Sequence, residues 1–291
     1  MKRNTYILLL VATLFLVSCD RLDIPGMFVS SGPHTEDRVA QWLDYNKSHG
    51  QTLISGLPDS YKFYVCSDIH VTDSAPRFRQ FLQAEKSDPN AYFSILNGDL
   101  ANESGENPFI SVSQAMADYC PTLADTCFVV LGNHDIYFDC FEHYRNHFHT
   151  STYYVEVQTV GGFKDLFVFL DSGNATHGTL QLAWLRNLLA HRQEYRHVVI
   201  STHTCLFRTS YNYSTTPAAN MPEEETYQFF DLLAQHQVDL FLMGHFHHKE
   251  THNIRGVEYV MTSNLNTDTE TPSYLVVTCA DKVSYQYVDL F

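Results

Sequence analysis

Residues 128–135 read Phe-Val-Val-Leu-Gly-Asn-His-Asp, an apolar run that breaks at a glycine and hands over to an amide, an imidazole and a carboxylate. A short apolar run bounded by turn formers is the pattern of a fully buried strand. The same arrangement occurs four more times. Tyr64-Val65-Cys66-Ser67 leads into Asp68-Ile69-His70, and Phe93-Ser94-Ile95-Leu96-Asn97 leads into Gly98-Asp99. Val198-Val199-Ile200-Ser201-Thr202 leads into His203, and Leu240-Phe241-Leu242-Met243 into Gly244-His245-Phe246-His247. Proteins of the α/β class place their chemistry on loops that leave strands, so five such handovers imply one shared site.

Working outward, the pattern predicts strands at Phe63–Ser67, Tyr92–Leu96, Phe128–Leu131, Leu166–Leu170, Val198–Thr202 and Leu240–Met243. Helical periodicity falls between them, at Arg77–Ser87, Phe109–Tyr119, Tyr137–Phe148, Leu180–His191 and Glu223–Gln237. Apolar strands alternating with helices imply sheets with helices on both faces. The expected fold is therefore an α/β sandwich of two mixed β-sheets flanked by helices. Tyr153–Val157 reads as a strand at an edge or in the second sheet, and Glu258–Phe291 as further strands. Thr35–His49 reads as a helix that Thr35 can cap, with Glu36 and Asp37 in its first turn and Gly50 after it. Its apolar residues Val39, Trp42 and Leu43 share one face. The organisation expected is a leader over residues 1–18, a tether with a helical segment over 19–60, and one domain over 61–291.

Composition limits the partners. A hydrophobic fraction of 44% supports a substantial core, while a formal net charge of −15 argues against binding nucleic acid or anionic lipid through phosphates. The N-terminus adds a location. Lys2 and Arg3 precede an apolar run from Tyr6 to Val17, too short to span a bilayer comfortably and typical of an export signal. Leu16-Val17-Ser18-Cys19 resembles the bacterial lipobox, which implies cleavage before Cys19, lipidation of its thiol and a membrane-anchored protein facing the periplasm or cell surface. The other six cysteines form no CxxC pair; Cys120 and Cys127 lie closest, and buried thiols in strands are the expectation.

The residue types of these five blocks suit a two-metal site. Alternate residues of an extended segment point the same way, which would let Asp68 and His70 share an ion and set His245 and His247 into one cavity. Carboxylate, amide oxygen and imidazole without thiolate suit borderline divalent ions such as Mn, Fe or Zn. Two ions about 3.5–4 Å apart need a bridging carboxylate, for which Asp99 is the natural candidate. Gly98 and Gly132 would allow close backbone approach or a positive φ. Gly-Asn-His-Asp alone arises by chance on the order of once in several hundred chains. Five blocks in order make coincidence a poor explanation.

These blocks resemble the signature of the calcineurin-like metallophosphoesterases, from about residue 61 to residue 250. The resemblance implies that Asp68, His70, Asp99 and His247 bind one metal ion, with Asp99 shared, and that Asn133, His203 and His245 complete the second. It implies that His134 meets a phosphoryl oxygen or protonates the leaving group, and that Asp135 orients His134 through its ring. Hydroxide generated between the two ions would attack phosphorus in line, with no covalent enzyme intermediate. The segment from Asp171 to Leu189 also resembles the family's; Thr204 and Cys205 after His203 depart from it and would alter the pocket wall.

Other histidines read more plainly. His248 and His252 suit a solvated surface, as do His143, His147 and His149. Arg208 and Tyr211, on an aperiodic stretch beyond His203, are candidate substrate contacts. The substrate expected is a small phosphorylated molecule. The alternative is a surface-anchored binding protein with a merely structural metal site, against which the His134–Asp135 pair argues. For the anchor, Cys19→Ala should abolish metabolic lipid labelling; label that persists would refute lipidation at Cys19.

Overall fold

Strand β2 (Tyr61–Cys66) shows how the sequence builds the layers. Phe63 and Val65 pack into the interior between two sheets, while Tyr64 and Cys66 face helices on the outside. Strand β6 (Lys164–Phe169) repeats this in the other sheet, with Phe167 and Phe169 inward and Leu166 and Val168 outward. Each strand is thus apolar on both faces for two different reasons. The expectation of helices on both faces of a sheet is corrected accordingly: one face meets helices and the other meets the second sheet. The two-sheet sandwich itself is as expected.

The computed structural model describes residues 33–102, 104–119, 127–207, 221–265 and 271–290. The leader, Cys19, Cys120, Arg208 and Tyr211 lie outside these. Around β2 and β6 the chain forms α1 (Thr35–His49), β1 (Thr52–Leu57), α2 (Pro76–Ser87), β3 (Ala91–Asn97), α3 (Asn107–Tyr119), β4 (Cys127–Val130), α4 (Cys140–Phe148) and β5 (Tyr153–Thr159). It continues through α5 (Gly178–Leu189), β7 (His197–Ser201), α6 (Glu223–Gln235), β8 (Leu240–Met243), β9 (Glu250–Ile254), β10 (Val257–Met261), β11 (Ser273–Cys279) and β12 (Val283–Asp289). One sheet has the order β1-β5-β6-β7-β8-β10-β9 and the other β12-β11-β2-β3-β4. Both are mixed: β2–β3–β4 and β6–β7–β8–β10 run parallel, and β11 and β9 enter antiparallel. Between the sheets Phe93 stacks on Phe63 at 5.2 Å and meets Phe167 edge-on at 5.0 Å, a geometry that favours ring pairs beyond their buried area. Among the described helices none is long and apolar enough to cross a membrane.

Several local readings change. The helix expected at Tyr137–Phe148 begins only at Cys140, as α4, because Phe138 takes φ 50° between it and a 3-10 turn at His134–Ile136. Of the two places expected for the strand Tyr153–Val157, the structure takes the second sheet and not an edge: β5 pairs with β1 on one side and β6 on the other. Thr35 is the first residue of α1 and caps nothing; His34 holds the cap position and offers no side-chain bond. The five described cysteines are buried thiols as expected, but only Cys66, Cys127 and Cys279 lie in strands; Cys140 opens α4 and Cys205 follows β7.

α1 is welded to the sandwich. The Arg38 guanidinium meets Asp171 with Nε at 2.8 Å and Nη2 at 2.7 Å, and Trp42 Nε1 donates to the same carboxylate at 3.0 Å. Both ionic side chains are fully buried. Burial works against the Asp171 charge, and Arg38 more than offsets it, holding the carboxyl below its ordinary range. Glu36 caps α5 from outside, accepting from the Thr179 and Leu180 main-chain N–H groups. Removing one partner of a buried pair strands the other, so Arg38→Met should cost about 3–5 kcal/mol in denaturant unfolding. A loss under about 1 kcal/mol would show that Asp171 finds other compensation.

Candidate metal centre

All five polar blocks converge where the C-terminal ends of β2, β3 and β4 in one sheet approach those of β7 and β8 in the other. The seven expected ligands are brought together in the described structure. Asp68, His70 and His247 offer ligand atoms that lie within 4.8 Å of one another, as do Asp99, His203 and His245. Asp99 stands between the groups, with Oδ2 3.2 Å from His203 Nε2 and 3.8 Å from His70 Nε2. Asn133 Oδ1 accepts the approach of His245 Nδ1 at 2.9 Å and His203 Nε2 at 3.1 Å.

The convergence is not that of an extended segment. Asp68, His70, Asp99, His245 and His247 all have positive φ, between 45° and 82°. Each strand ends before its ligands, and left-handed turns swing the side chains inward. This replaces the strand-alternation argument with a backbone that is strained for L-residues, though Asp and His tolerate it better than most.

A cation fits this donor set. Asp68 Oδ1 is buried with no hydrogen bond, and imidazole nitrogens of His247 and His70 stand 3.2 and 3.9 Å away. His70 Nε2 and His247 Nε2 face each other at 3.1 Å. His203 donates its Nδ1 proton to Asn97 O at 2.9 Å, which leaves Nε2 aimed at two oxygens. Fixing one ring nitrogen on a carbonyl to free the other is how proteins orient imidazole ligands. The charges agree. Burial pushes His203 down, but Asp99 overrides it and raises the ring to about 10. Burial likewise opposes the Asp68 charge, and His247 draws that carboxyl down to about 2. The two carboxylates thus favour positive charge at His203 and His247, the role that metal cations would take.

His134 sits beside this cluster, half-buried, its ring edge-on to His70 at 4.7 Å and against Tyr137 at 4.8 Å. A ring nitrogen of His134 also lies within 4.8 Å of ligand atoms of His70 and Asp99. Asp135 is fully buried and accepts from the main-chain N–H groups of Leu100 at 2.9 Å, Ala101 at 3.1 Å and Gly132 at 2.9 Å. Burial, then the Asp99 charge, push its carboxyl up to about 7. What Asp135 holds directly is the backbone just after Asp99 and at Gly132, joining the two loops.

A family model for calcineurin-like phosphoesterases matches residues 61–249. The chain belongs to the calcineurin-like phosphoesterase family. As a member it is a metal-dependent phosphoric ester hydrolase. Its fold is similar to that of GAP50, the anchor in the inner membrane complex of Plasmodium, with TM-score 0.58, 13% identity, and coverage of 79% of this chain and 84% of that one. A dimetal phosphatase from Danio rerio gives TM-score 0.57 at 12% identity, over 79% of this chain and 96% of that one. A purple acid phosphatase from yellow lupin (Lupinus luteus) seeds gives 0.56 at 14% identity, over 80% and 52%. At these identities the likeness is one of fold. No curated protein sequence matches the chain.

This phosphoesterase also uses residues that the sequence did not single out. Ser67 donates to Asp68 Oδ2, Asn97 holds His203, Asn264 Nδ2 donates to His247 O at 3.1 Å, and Tyr137 accepts from Asn133. Thr204 turns away from the cluster, donating to Ser172 O at 2.7 Å. His248 is buried, against expectation, because its ring bridges Phe246 O and Glu250 at 2.9 Å each. Gly98 has φ +88°, and a Cβ there would meet the His203 ring at 2.5 Å. Gly98→Ala should therefore displace His203 and lower bound metal by roughly one equivalent per chain, with a stability cost of about 1–3 kcal/mol. Full metal content by elemental analysis of the folded variant would refute this account of Gly98.

Proposed function

We propose that this chain is a dinuclear-metal phosphoesterase that hydrolyses small phosphomonoesters or phosphodiesters outside the cytoplasm, anchored through lipid on Cys19. The observation that carries the dinuclear reading is Asp99 Oδ2, which faces ligand nitrogens of both clusters at 3.2 and 3.8 Å. Asp68, His70, Asp99 and His247 would hold one ion, and Asp99, Asn133, His203 and His245 the other. Two divalent ions of the Mn, Fe or Zn class, when bound, supply Lewis acidity and an activated water.

The chain's own groups do the rest. Asn133 presents a neutral oxygen, and His203 a nitrogen whose orientation Asn97 fixes. Ser67 and the His245 main-chain N–H hold Asp68 Oδ2, leaving Oδ1 for the cavity. His134 meets the phosphoryl oxygen or protonates the leaving group from its half-exposed place beside the cluster, as a general acid within reach of solvent. Asp135 serves His134 through the backbone it fixes around Asp99. Arg208 and Tyr211, outside the described residues, stand as candidate substrate contacts. The net charge of −15 favours a small phosphorylated substrate over a nucleic-acid polymer.

One fold can carry unrelated functions, and GAP50, of similar fold, is named for an anchoring role. The ligand set with His134 beside it favours catalysis. Metal-replete protein should release p-nitrophenol from p-nitrophenyl phosphate or its bis-ester, and the faster of the two reports the ester preference. His134→Ala should lower kcat about 10²–10⁴-fold with both metal equivalents retained. No release from either ester would sink the hydrolase; loss of metal in the variant would make His134 a ligand.

A further inference from the structure

Asn133 is the one proposed ligand with two chemically different faces. Its Oδ1 can ligate a cation, while its NH₂ group only donates. A 180° turn about the last side-chain bond exchanges them with almost no change of shape. Oδ1 points into the cluster, 2.9 Å from His245 Nδ1 and 3.1 Å from His203 Nε2. On the opposite side Nδ2 donates to the Tyr137 hydroxyl at 2.7 Å, in a buried bond. Tyr137 is itself buried, packed among Ile136, Cys140 and Phe141 of the outer core, and its main-chain N–H donates to His134 O at 3.2 Å. Its ring lies 4.8 Å from that of His134. One side chain thus touches the only amide ligand and the proposed acid.

We propose that Tyr137 is a positioning residue whose hydroxyl locks the Asn133 amide with oxygen toward the metals, and whose ring sets the angle of His134. This rests on the dinuclear reading of the site. The lock works because the hydroxyl ties down the NH₂ group, and with it the side-chain torsions that keep Oδ1 in the cluster, which a phenyl edge cannot do. Without it the amide samples both faces, and only one of them binds metal. The consequence is confined to the ion held by Asn133, His203 and His245. The ring acts separately, on the placement of His134 and hence on turnover.

Three variants separate these effects, with metal affinity measured by competition with a chromogenic chelator. Tyr137→Phe keeps the ring and removes the lock, so one of two metal equivalents should weaken about 10–100-fold, the range for residues that orient ligands. Its kcat should recover at saturating metal. Tyr137→Leu removes hydroxyl and ring together; it should show the same metal defect and a kcat that saturating metal does not restore. In an Asn133→Asp background both faces carry oxygen, so adding Tyr137→Phe should change affinity by less than about twofold. Wild-type affinity for both equivalents in Tyr137→Phe, or an equal loss in the Asn133→Asp background, would overturn the lock. Should Tyr137→Phe lack a cooperative melt, Tyr137→Leu decides by its own metal titration. If Asn133→Ala leaves both equivalents tightly bound, the ligand assignment itself has failed, a different outcome from failure of the lock.

Discussion

Two carboxylates, Asp68 and Asp99, lie fully buried between the edges of the sheets, and their charge is the constraint around which the catalytic end is arranged. An isolated buried carboxylate costs several kcal/mol in desolvation, so it is neutralised, paired or bound to a cation. Here the surrounding groups are imidazoles, not lysine or arginine. His203 is raised to about 10 against the pull of burial, and His247 is raised too, while burial lowers His70 to about 3 and His245 to about 4. Within one cluster some rings are drawn toward the charged form and others toward the neutral one. That division suits a place where protons leave as metal arrives.

Holding those carboxylates in place requires support well beyond the cluster. Arg38 and Trp42 of α1 fix Asp171, and Asp171 Oδ1 accepts from Gly173 N at 3.1 Å. The adjoining Ser172 takes the Thr202 hydroxyl at 2.8 Å and the Thr204 main-chain N–H at 2.9 Å. Those two threonines flank His203. A helix that precedes the matched family segment therefore reaches a proposed ligand through two buried hydrogen-bonded steps, one onto Asp171 and one between Ser172 and the two threonines. Asp135 provides a second brace, joining the loops after β3 and β4 by three main-chain bonds.

What was legible in the sequence follows from how each part is buried. Phe63–Ser67 and Val198–Thr202 read as strands because both their faces meet apolar layers. β1 and β9 escaped notice because they are edge strands, alternately exposed, with Ser55-Gly56 in one and Glu-Thr-His-Asn in the other. The candidate ligands stood out because they lie in contiguous blocks of rare residue types. Ser67, Asn97 and Tyr137 did not, since a lone serine, asparagine or tyrosine near a strand end is common. The route of convergence was misread as well. Period-two alternation puts Asp68 and His70 on one side only if the chain stays extended, whereas their φ values of 52° and 45° show two left-handed residues.

Those turns bear on why the site exists. A non-glycine residue in the left-handed region costs on the order of 1 kcal/mol or more. Five such ligands together approach the net stability of an ordinary domain, about 5–15 kcal/mol. Buried charge and strained backbone both work against folding, and replacing a buried ionic cluster by apolar residues of similar volume is often stabilising. A sandwich retained only for its shape would gain nothing from Asp68 and Asp99 that apolar residues could not supply. Their presence, braced by Arg38, Asp135 and Tyr137, is physically reasonable when the cluster is shaped for cations that offset part of the cost, with His134 at its side to use them.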